Sequence, residues 1–230
     1  MNFRYTFTFP RRTKTSNLPA MNKTYPRPSL TADIVVLRYR NGHLEILLIE
    51  RSKEPYEQKW ALPGGFVDEN EEPFHAAKRE LMEETSVSDL PMIELGTFGK
   101  KDRDPRGWVV SVAFLAFAHP TCEAVAGDDA AMTAWYRLHE LPELAFDHAD
   151  IVASALKKLT GQIQFDTMPL FLLPTRFRSR QARHLYSQII GKPIKPRPFK
   201  AWLRRRQAIV RVGPGTYTRA ESMTADWCRS

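Results

Sequence analysis

The chain has 230 residues, of which 43% are hydrophobic and 26% charged, and it carries a formal net charge of +8. This length can bury a sizeable core and suits one large domain or two small ones. No apolar run approaches the roughly 18 residues that a membrane-spanning helix needs, so we expect no membrane partner. Two cysteines, Cys122 and Cys228, match no metal or redox spacing, so we expect reduced thiols in a cytoplasmic protein.

Basic and acidic residues are unevenly distributed along the chain. From residue 167 onward there are fourteen Lys and Arg residues against two acidic ones, whereas the first 166 residues hold 20 basic and 24 acidic ones. An acidic front and a basic tail predict two domains with different partners. We expect a flexible extension over 1–24, a first domain over 25–162, a linker over 163–174, a second domain over 175–222 and a tail over 223–230.

Strand and helix patterns alternate through the first domain. The Asn41-Gly42 turn between the apolar runs 34–37 and 44–49 predicts a β-hairpin, whose second strand leads to Arg51. The run 109–117 is almost continuously apolar, which predicts a strand buried on both faces. The other predicted elements are a short strand at Trp135-Tyr136 and an amphipathic helix from Phe146 to Leu159. The alternation predicts an α/β fold, a sandwich of helices around a mixed sheet.

A glycine pair, Gly64-Gly65, precedes an acidic helix. Residues three and four apart share a helix face, so Glu80, Glu83 and Glu84 are predicted to converge on one surface, where Arg79 can orient Glu83. Like charges at this spacing repel, so stability alone would not select them. Hard oxygen ligands gathered this way suit Mg²⁺ or Mn²⁺, ions that bridge to substrate phosphates.

The spacing of this segment resembles the Nudix box, at Gly65, Glu71, Arg79, Glu80, Leu81, Glu83, Glu84 and Val87. The resemblance implies that the catalytic residues are Arg79, Glu80, Glu83 and Glu84, and that the metal ligands are Gly65 and the same three glutamates. Ser86 stands where the family has glycine. Serine in the left-handed conformation that glycine adopts there destabilises the fold by about 1 kcal/mol or more. We therefore expect an altered end of the helix, with the carboxylates retained.

The segment Asp102-Arg103-Asp104-Pro105-Arg106-Gly107 resembles a loop of Nudix proteins that handle ADP-ribose. An arginine can clamp a phosphate through two hydrogen bonds, so Arg51, Arg103 and Arg106 are candidate substrate-binding residues. Trp60 could stack on a base or belong to the core. The alternatives are a polar turn held by local ion pairs, or another Nudix ligand such as a damaged nucleotide, NADH or a dinucleoside polyphosphate. His148, at a helix start, is more typical of a cap or packing residue than of a catalyst.

The basic tail has the pattern of a winged helix-turn-helix. A helix over 180–190 ends at Gly191, a second helix covers 197–205, and a hairpin with a Gly-Pro-Gly tip covers 210–219. The second helix of such a module enters the DNA major groove while cations contact phosphates. The candidate DNA-binding residues are Arg178, Lys195, Arg197, Lys200, Arg204 and Arg211. The alternative is a solvated charged tail or an RNA-binding patch.

From about residue 25 to 220 the chain resembles the Nudix-related transcriptional regulators of NAD metabolism, the NrtR group. The resemblance implies an ADP-ribose-like ligand, a double-stranded DNA operator bound by a homodimer, and Mg²⁺-dependent hydrolysis to AMP and ribose 5-phosphate where the box is retained. A second hypothesis is a plain Mg-dependent Nudix hydrolase whose tail serves dimerisation or forms a lid. A third is RNA-end processing, in which the tail grips RNA.

Overall fold

The computed structural model describes residues 25–127, 130–162 and 167–220. The expected extension over 1–24, the tail over 223–230 and Cys228 lie outside these residues. Seven strands of the first domain form one sheet: β1 Ser29–Arg40, β2 His43–Arg51, β3 Trp60–Ala61, β4 Gly64–Phe66, β5 Met92–Phe98, β6 Val109–Ala118 and β7 Ala130–Arg137. Two helices, α1 Pro73–Thr85 and α2 His148–Gln162, accompany the sheet. Within the described residues, no helix has both the length and the apolar character to cross a membrane.

The sheet is mixed, as predicted. Its main path runs β3-β2-β1-β6-β5, with β4 pairing to β1 and β7 pairing to β2. The β1–β6 pair is parallel, with Ser29 opposite Val109 and Arg38 opposite Ala118, and every other pair is antiparallel. The predicted hairpin is confirmed at the β1–β2 turn, where Asn41 (φ 52°) and Gly42 (φ 86°) both take positive φ.

Alternate residues of β1 serve two separate cores, which is why this strand is buried on both faces. Ala32, Ile34 and Val36 belong to the apolar cluster under α1, together with Ala76, Ala77, Leu81 and Phe114. Val35 and Leu37 belong to the cluster on the opposite face, together with Ile151, Ala155 and Leu159 of α2. The two helices therefore cover opposite faces of one sheet, and the predicted sandwich is confirmed.

The basic tail forms the predicted winged helix-turn-helix. Helices α3 Ser179–Ile190 and α4 Pro196–Arg204 are followed by the hairpin of β9 Ile209–Gly213 and β10 Thr216–Arg219, and β10 also pairs with the short strand β8 Arg176–Arg178. Tyr186 of α3 packs edge-on against Phe199 and Trp202 of α4, with ring centroids 5.5 and 5.1 Å away. These contacts pack α3 against α4.

The tail packs on the first domain through an apolar connection. The 3₁₀ helix Met168–Leu172 is buried, and its residues share one apolar cluster with Val35 and Leu37 of the sheet and with Phe177 and Leu185 of the tail. The Arg219 guanidinium donates to the carbonyl oxygens of Leu170 (2.7 Å) and Leu173 (2.9 Å). The Tyr39 hydroxyl at the end of β1 hydrogen-bonds His184 of α3.

Helix α1 ends at Ser86, which occupies the left-handed position where glycine is favoured. Ser86 takes left-handed dihedrals (φ 56°, ψ 20°), and its N–H donates to the Met82 carbonyl oxygen. We expect Ser86→Gly to raise the free energy of unfolding by up to about 1 kcal/mol, because glycine adopts this conformation without a side-chain clash. Urea unfolding measures the change, with Ser86→Ala as the control that keeps a Cβ. A gain of equal size in the alanine variant would contradict this explanation.

Candidate active site and nucleic-acid interface

Arg79 organises the acidic residues on the outer side of α1. Its guanidinium donates to Glu71 at 2.9 and 3.0 Å, to Glu80 at 2.8 Å and to Glu83 at 3.2 Å, and also to the Phe66 carbonyl oxygen at 3.0 Å. The Arg79 hydrogen bonds hold the pKa of Glu71 down at about 2. One arginine thus fixes the carboxylates of the helix relative to the loop that enters it.

The glycine pair brings the sheet against two of these glutamates. At Gly64 (φ 150°) a Cβ would lie 2.2 Å from the Ala32 carbonyl oxygen, and at Gly65 it would lie 2.3 Å from a Glu80 carboxylate oxygen. A Cβ at Gly64 would clash with the backbone, whereas one at Gly65 would force the Glu80 side chain to move. The Gly64 N–H donates to the Glu84 carboxylate at 2.9 Å. The Glu80 and Glu84 carboxylates therefore lie against two consecutive glycines.

Glu84 is a buried carboxyl group near a second carboxyl group, that of Glu80. Only 8% of the residue is exposed. Burial raises its pKa to about 8, and the neighbouring Glu80 contributes in the same direction. Burial also raises the pKa of Glu80. A nearby cation favours the ionised form of such carboxyl groups, so this pair is electrostatically suited to bind one.

The three box glutamates differ in placement. Among the described residues, no group of three His, Cys, Asp or Glu side chains is arranged to hold a metal ion. Glu80 and Glu84 lie at the glycine pair, whereas the Glu83 side chain is 58% exposed and pairs with Arg79. The hard oxygens of Glu80, Glu84 and the Gly65 backbone fit a divalent cation by their chemistry, with Glu83 beside them.

A polar cavity of about 190 Å³ lies next to Glu84, between the end of β2 and the loop before β6. It is lined by Ile49, Arg51, Ser52, Lys53, Glu54, Glu84 and Arg106. Burial and the nearby Arg106 cation lower the pKa of Arg51. Two of the predicted substrate-binding arginines therefore meet beside a box glutamate, in a cavity whose cations suit an anionic group.

Arg103 and Trp60 are placed elsewhere. The Arg103 guanidinium is buried and donates to both oxygens of Asp147 (2.6 and 2.9 Å) and to Asp33 (3.4 Å). Trp60 packs edge-on against Tyr136, with the centroids 5.0 Å apart, and borders the core cluster. The structure therefore does not place these two predicted ligand contacts in the cavity.

Sequence reasoning missed the buried polar network that holds Arg103. Asp33 of β1 accepts from Ser111 of β6 and from Arg103, and its carboxylate lies 3.7 Å from His148 Nε2. His148 starts α2, and its Nδ1 accepts the Leu62 N–H at 2.9 Å; burial lowers its pKa. Asp33 lies within the otherwise apolar run 32–37, and this was the available signal, because a buried charge requires a partner.

Arg103 is expected to be essential for stability. We expect Arg103→Met to lower the free energy of unfolding by about 3–5 kcal/mol, because Asp33 and Asp147 would stay buried without their cation. Urea unfolding at neutral pH measures the loss. Arg137→Met is the control, since Arg137 pairs with Glu140 at the surface and should contribute less than about 1 kcal/mol. Similar losses in both variants would contradict the buried role.

The winged helix presents a cationic surface. All six candidate DNA-binding residues are exposed: Arg178, Lys195, Arg197, Lys200, Arg204 and Arg211. Phe199 and Leu203 of the same α4 are buried against the module. The helix thus packs through its apolar side and turns Arg197, Lys200 and Arg204 to solvent, where phosphates could be contacted.

The fold and the site define a class of protein with two parts, an α/β sandwich carrying an acidic helix at a glycine pair, and a basic winged helix. A family model described as the NUDIX domain matches residues 28–155. The chain belongs to this family, and the predicted family assignment is confirmed.

Three relatives are similar to this chain over different lengths. The ADPR-responsive transcriptional repressor NtrR of Acinetobacter baylyi is 31% identical over 180 residues, which cover 76% of this chain and 72% of that protein. The structure of Shewanella oneidensis NrtR complexed with a 27mer DNA matches with a TM-score of 0.73 and 28% identity, over 86% of this chain and 96% of that one. An ADP-ribose pyrophosphatase of Methanocaldococcus jannaschii is 36% identical over 139 residues, 60% of this chain and 79% of that protein.

Proposed function

We propose that the protein is a DNA-binding regulator of NAD metabolism whose Nudix domain binds ADP-ribose or a related nucleoside diphosphate derivative and hydrolyses it to AMP and ribose 5-phosphate. In this proposal residues 25–162 bind the nucleotide, 163–174 connect, and 175–222 bind double-stranded DNA as part of a homodimer. One observation carries it: a single chain holds a cationic cavity beside the Nudix box and an exposed basic helix on a winged module.

The cavity favours a diphosphate ligand. Arg51 and Arg106 each carry a guanidinium that can donate two hydrogen bonds to a phosphate. Arg106 is held by Asp104, whose carboxylate accepts from the guanidinium at 2.6 Å, and Arg51 is held by the Pro55 carbonyl oxygen at 2.8 Å. Two cations placed close together repel each other, and a ligand with two negative charges relieves that repulsion.

A divalent cation completes this site in our proposal. Mg²⁺ or Mn²⁺ would be held by Glu80, Glu83, Glu84 and the Gly65 backbone. When bound, such an ion neutralises phosphate charge and lowers the pKa of a water molecule. Arg79 keeps Glu80 and Glu83 in place through its hydrogen bonds, and the Gly64 N–H orients Glu84.

Hydrolysis is tested by incubating the protein with ADP-ribose and Mg²⁺ and measuring AMP. We expect AMP release that stops when the metal is removed with a chelator. Binding of ADP-ribose without AMP release would leave a sensor and remove the enzymatic part of the proposal. Absence of binding as well would defeat the nucleotide part altogether.

DNA binding is tested by a gel shift with DNA from upstream of the protein's own gene and of neighbouring NAD genes. We expect a shift that weakens as salt rises, because bound cations displace counterions from the phosphates. Competition with structured RNA distinguishes RNA-end processing. Without any salt-sensitive shift on duplex DNA, the plain hydrolase hypothesis would be preferred.

A further inference from the structure

The Phe66 and Phe146 rings lie against the two cavity arginines, and the Tyr56 ring contacts Phe146. The Phe66 ring centroid lies 4.7 Å from Arg106 Cζ, and the Phe146 centroid lies 5.0 Å from Arg51 Cζ and 5.5 Å from Arg106 Cζ. Tyr56 meets Phe146 edge-on, with the centroids 4.8 Å apart. Tyr56 and Phe66 are 40% and 41% exposed. Large aromatic side chains are thus left open to solvent beside a cationic cavity.

Two of these aromatic residues have a backbone that is unfavourable for them. Tyr56 (φ 64°) and Phe146 (φ 55°) lie in the left-handed region, which bulky side chains rarely adopt. Such backbone conformations are unfavourable for bulky residues and persist only where their surroundings enforce them. Arg51 anchors the Tyr56 loop through the Pro55 carbonyl oxygen, and the Ala145 N–H anchors the Phe146 segment to the Trp60 carbonyl oxygen at 2.8 Å.

The cavity is too small for a whole nucleoside diphosphate derivative. Its volume is about 190 Å³, whereas pockets for drug-sized ligands measure roughly 300–1,000 Å³. Its lining is charged and polar, which suits phosphates and not the face of a base. Trp60, which the sequence predicted as a residue that could stack on a base, packs on Tyr136 instead. The base of a ligand whose phosphates occupy this cavity must therefore lie outside it, over the neighbouring surface.

We infer that the nucleobase of the ligand stacks on Tyr56 and Phe66, with Phe146 supporting Tyr56 from behind. This inference rests on the proposed function, because it assumes that the phosphates bind between Arg51 and Arg106. Bases have flat π faces that stack on aromatic rings, and the arginines beside these rings add cation–π attraction. The arrangement places a base and a diphosphate on adjacent parts of one surface.

The test compares Tyr56→Leu and Phe66→Leu with the parent protein, using calorimetry with the metal chelated to prevent turnover. Each variant is expected to bind ADP-ribose and AMP roughly 5- to 150-fold more weakly, the range for losing one base–aromatic stack. Binding of inorganic pyrophosphate should not change, because it has no base. Trp108→Leu, which removes another exposed aromatic residue (58% exposed), is the matched control and should bind ADP-ribose as the parent does.

The outcomes separate this inference from the proposed function. Unchanged ADP-ribose binding in both variants overturns the inference and leaves the function standing. Equal losses for pyrophosphate and ADP-ribose also overturn it, since they indicate a structural defect, and so does a loss confined to Trp108→Leu. If the parent binds AMP through Tyr56 and Phe66 but does not bind ADP-ribose, the proposed function fails and the stacking site stands. If the parent binds no adenine nucleotide with the metal chelated and no AMP with Mg²⁺ present, both fail.

Discussion

Replacing Glu84 by glutamine is expected to reduce ADP-ribose hydrolysis by more than roughly a hundredfold while DNA binding is retained. Residues that only support a metal ligand contribute about 10- to 100-fold, so loss of a ligand should exceed that range. Glutamine keeps the size of the side chain and an oxygen that can accept the Gly64 N–H, but it cannot carry the charge that binds a cation. AMP release and a gel shift on the same preparation measure the two effects.

The glutamine variant should also fold normally, which makes the activity result interpretable. Burial raises the pKa of Glu84 to about 8, so at pH 7 the metal-free carboxyl group is mainly protonated, and glutamine resembles that form. Thermal unfolding in a chelator should therefore show no loss of stability. Glu143→Gln, at an exposed ion pair with Lys59, is the control for activity. Parallel loss of hydrolysis and DNA binding would contradict the division of labour between the two domains.

Replacing Arg197, Lys200 and Arg204 together by alanine is expected to weaken DNA binding and leave hydrolysis nearly unchanged. Each lost phosphate contact should reduce the slope of log affinity against log salt by about 0.9, so three contacts reduce it by about 2.7. The helix itself should persist, because all three residues are exposed and alanine has the highest helix propensity. Affinity measured at several salt concentrations gives the slope.

The matched control changes the same net charge at a different place. Lys100, Lys101 and Lys157 are exposed residues of the Nudix domain, and their combined replacement by alanine also removes three positive charges. This control should keep most of the salt slope. If both triple variants lose the same slope, the tail acts only through overall charge, and α4 is not a specific DNA-binding helix.

Periodic elements of the site could be predicted from the sequence. Helix α1 was predictable because residues three and four apart share a face. The glycine pair indicated a close approach of the backbone to a ligand, and the structure places it against the Glu80 and Glu84 carboxylates. Strand β5 was missed, because its ladder is interrupted between Glu94 and Gly96. Such a bulge breaks the alternation on which strand prediction depends.

The roles of the two loop arginines could not be predicted. Arg103 and Arg106 lie three residues apart in a loop, where no helical or strand period tells which side chain points inward. The burial of Arg103 depends on Asp33 and Asp147, which are 70 and 44 residues away in the chain. The Arg79–Glu83 contact was predicted from helix geometry and is present at 3.2 Å, but that geometry could not tell that the Glu83 side chain is 58% exposed.

The single apolar cluster that joins the sheet to the winged helix has a mechanical consequence. Val35 and Phe117 of the sheet share this cluster with Phe177 and Leu203 of the tail. Separating the winged helix from the sheet would therefore expose apolar surface to water. Among the described residues, the free energy of exposing this apolar surface therefore disfavours an arrangement in which the winged helix moves freely relative to the sheet. In the proposed function, a signal from the nucleotide site would therefore reach bound DNA through two domains that share one apolar core.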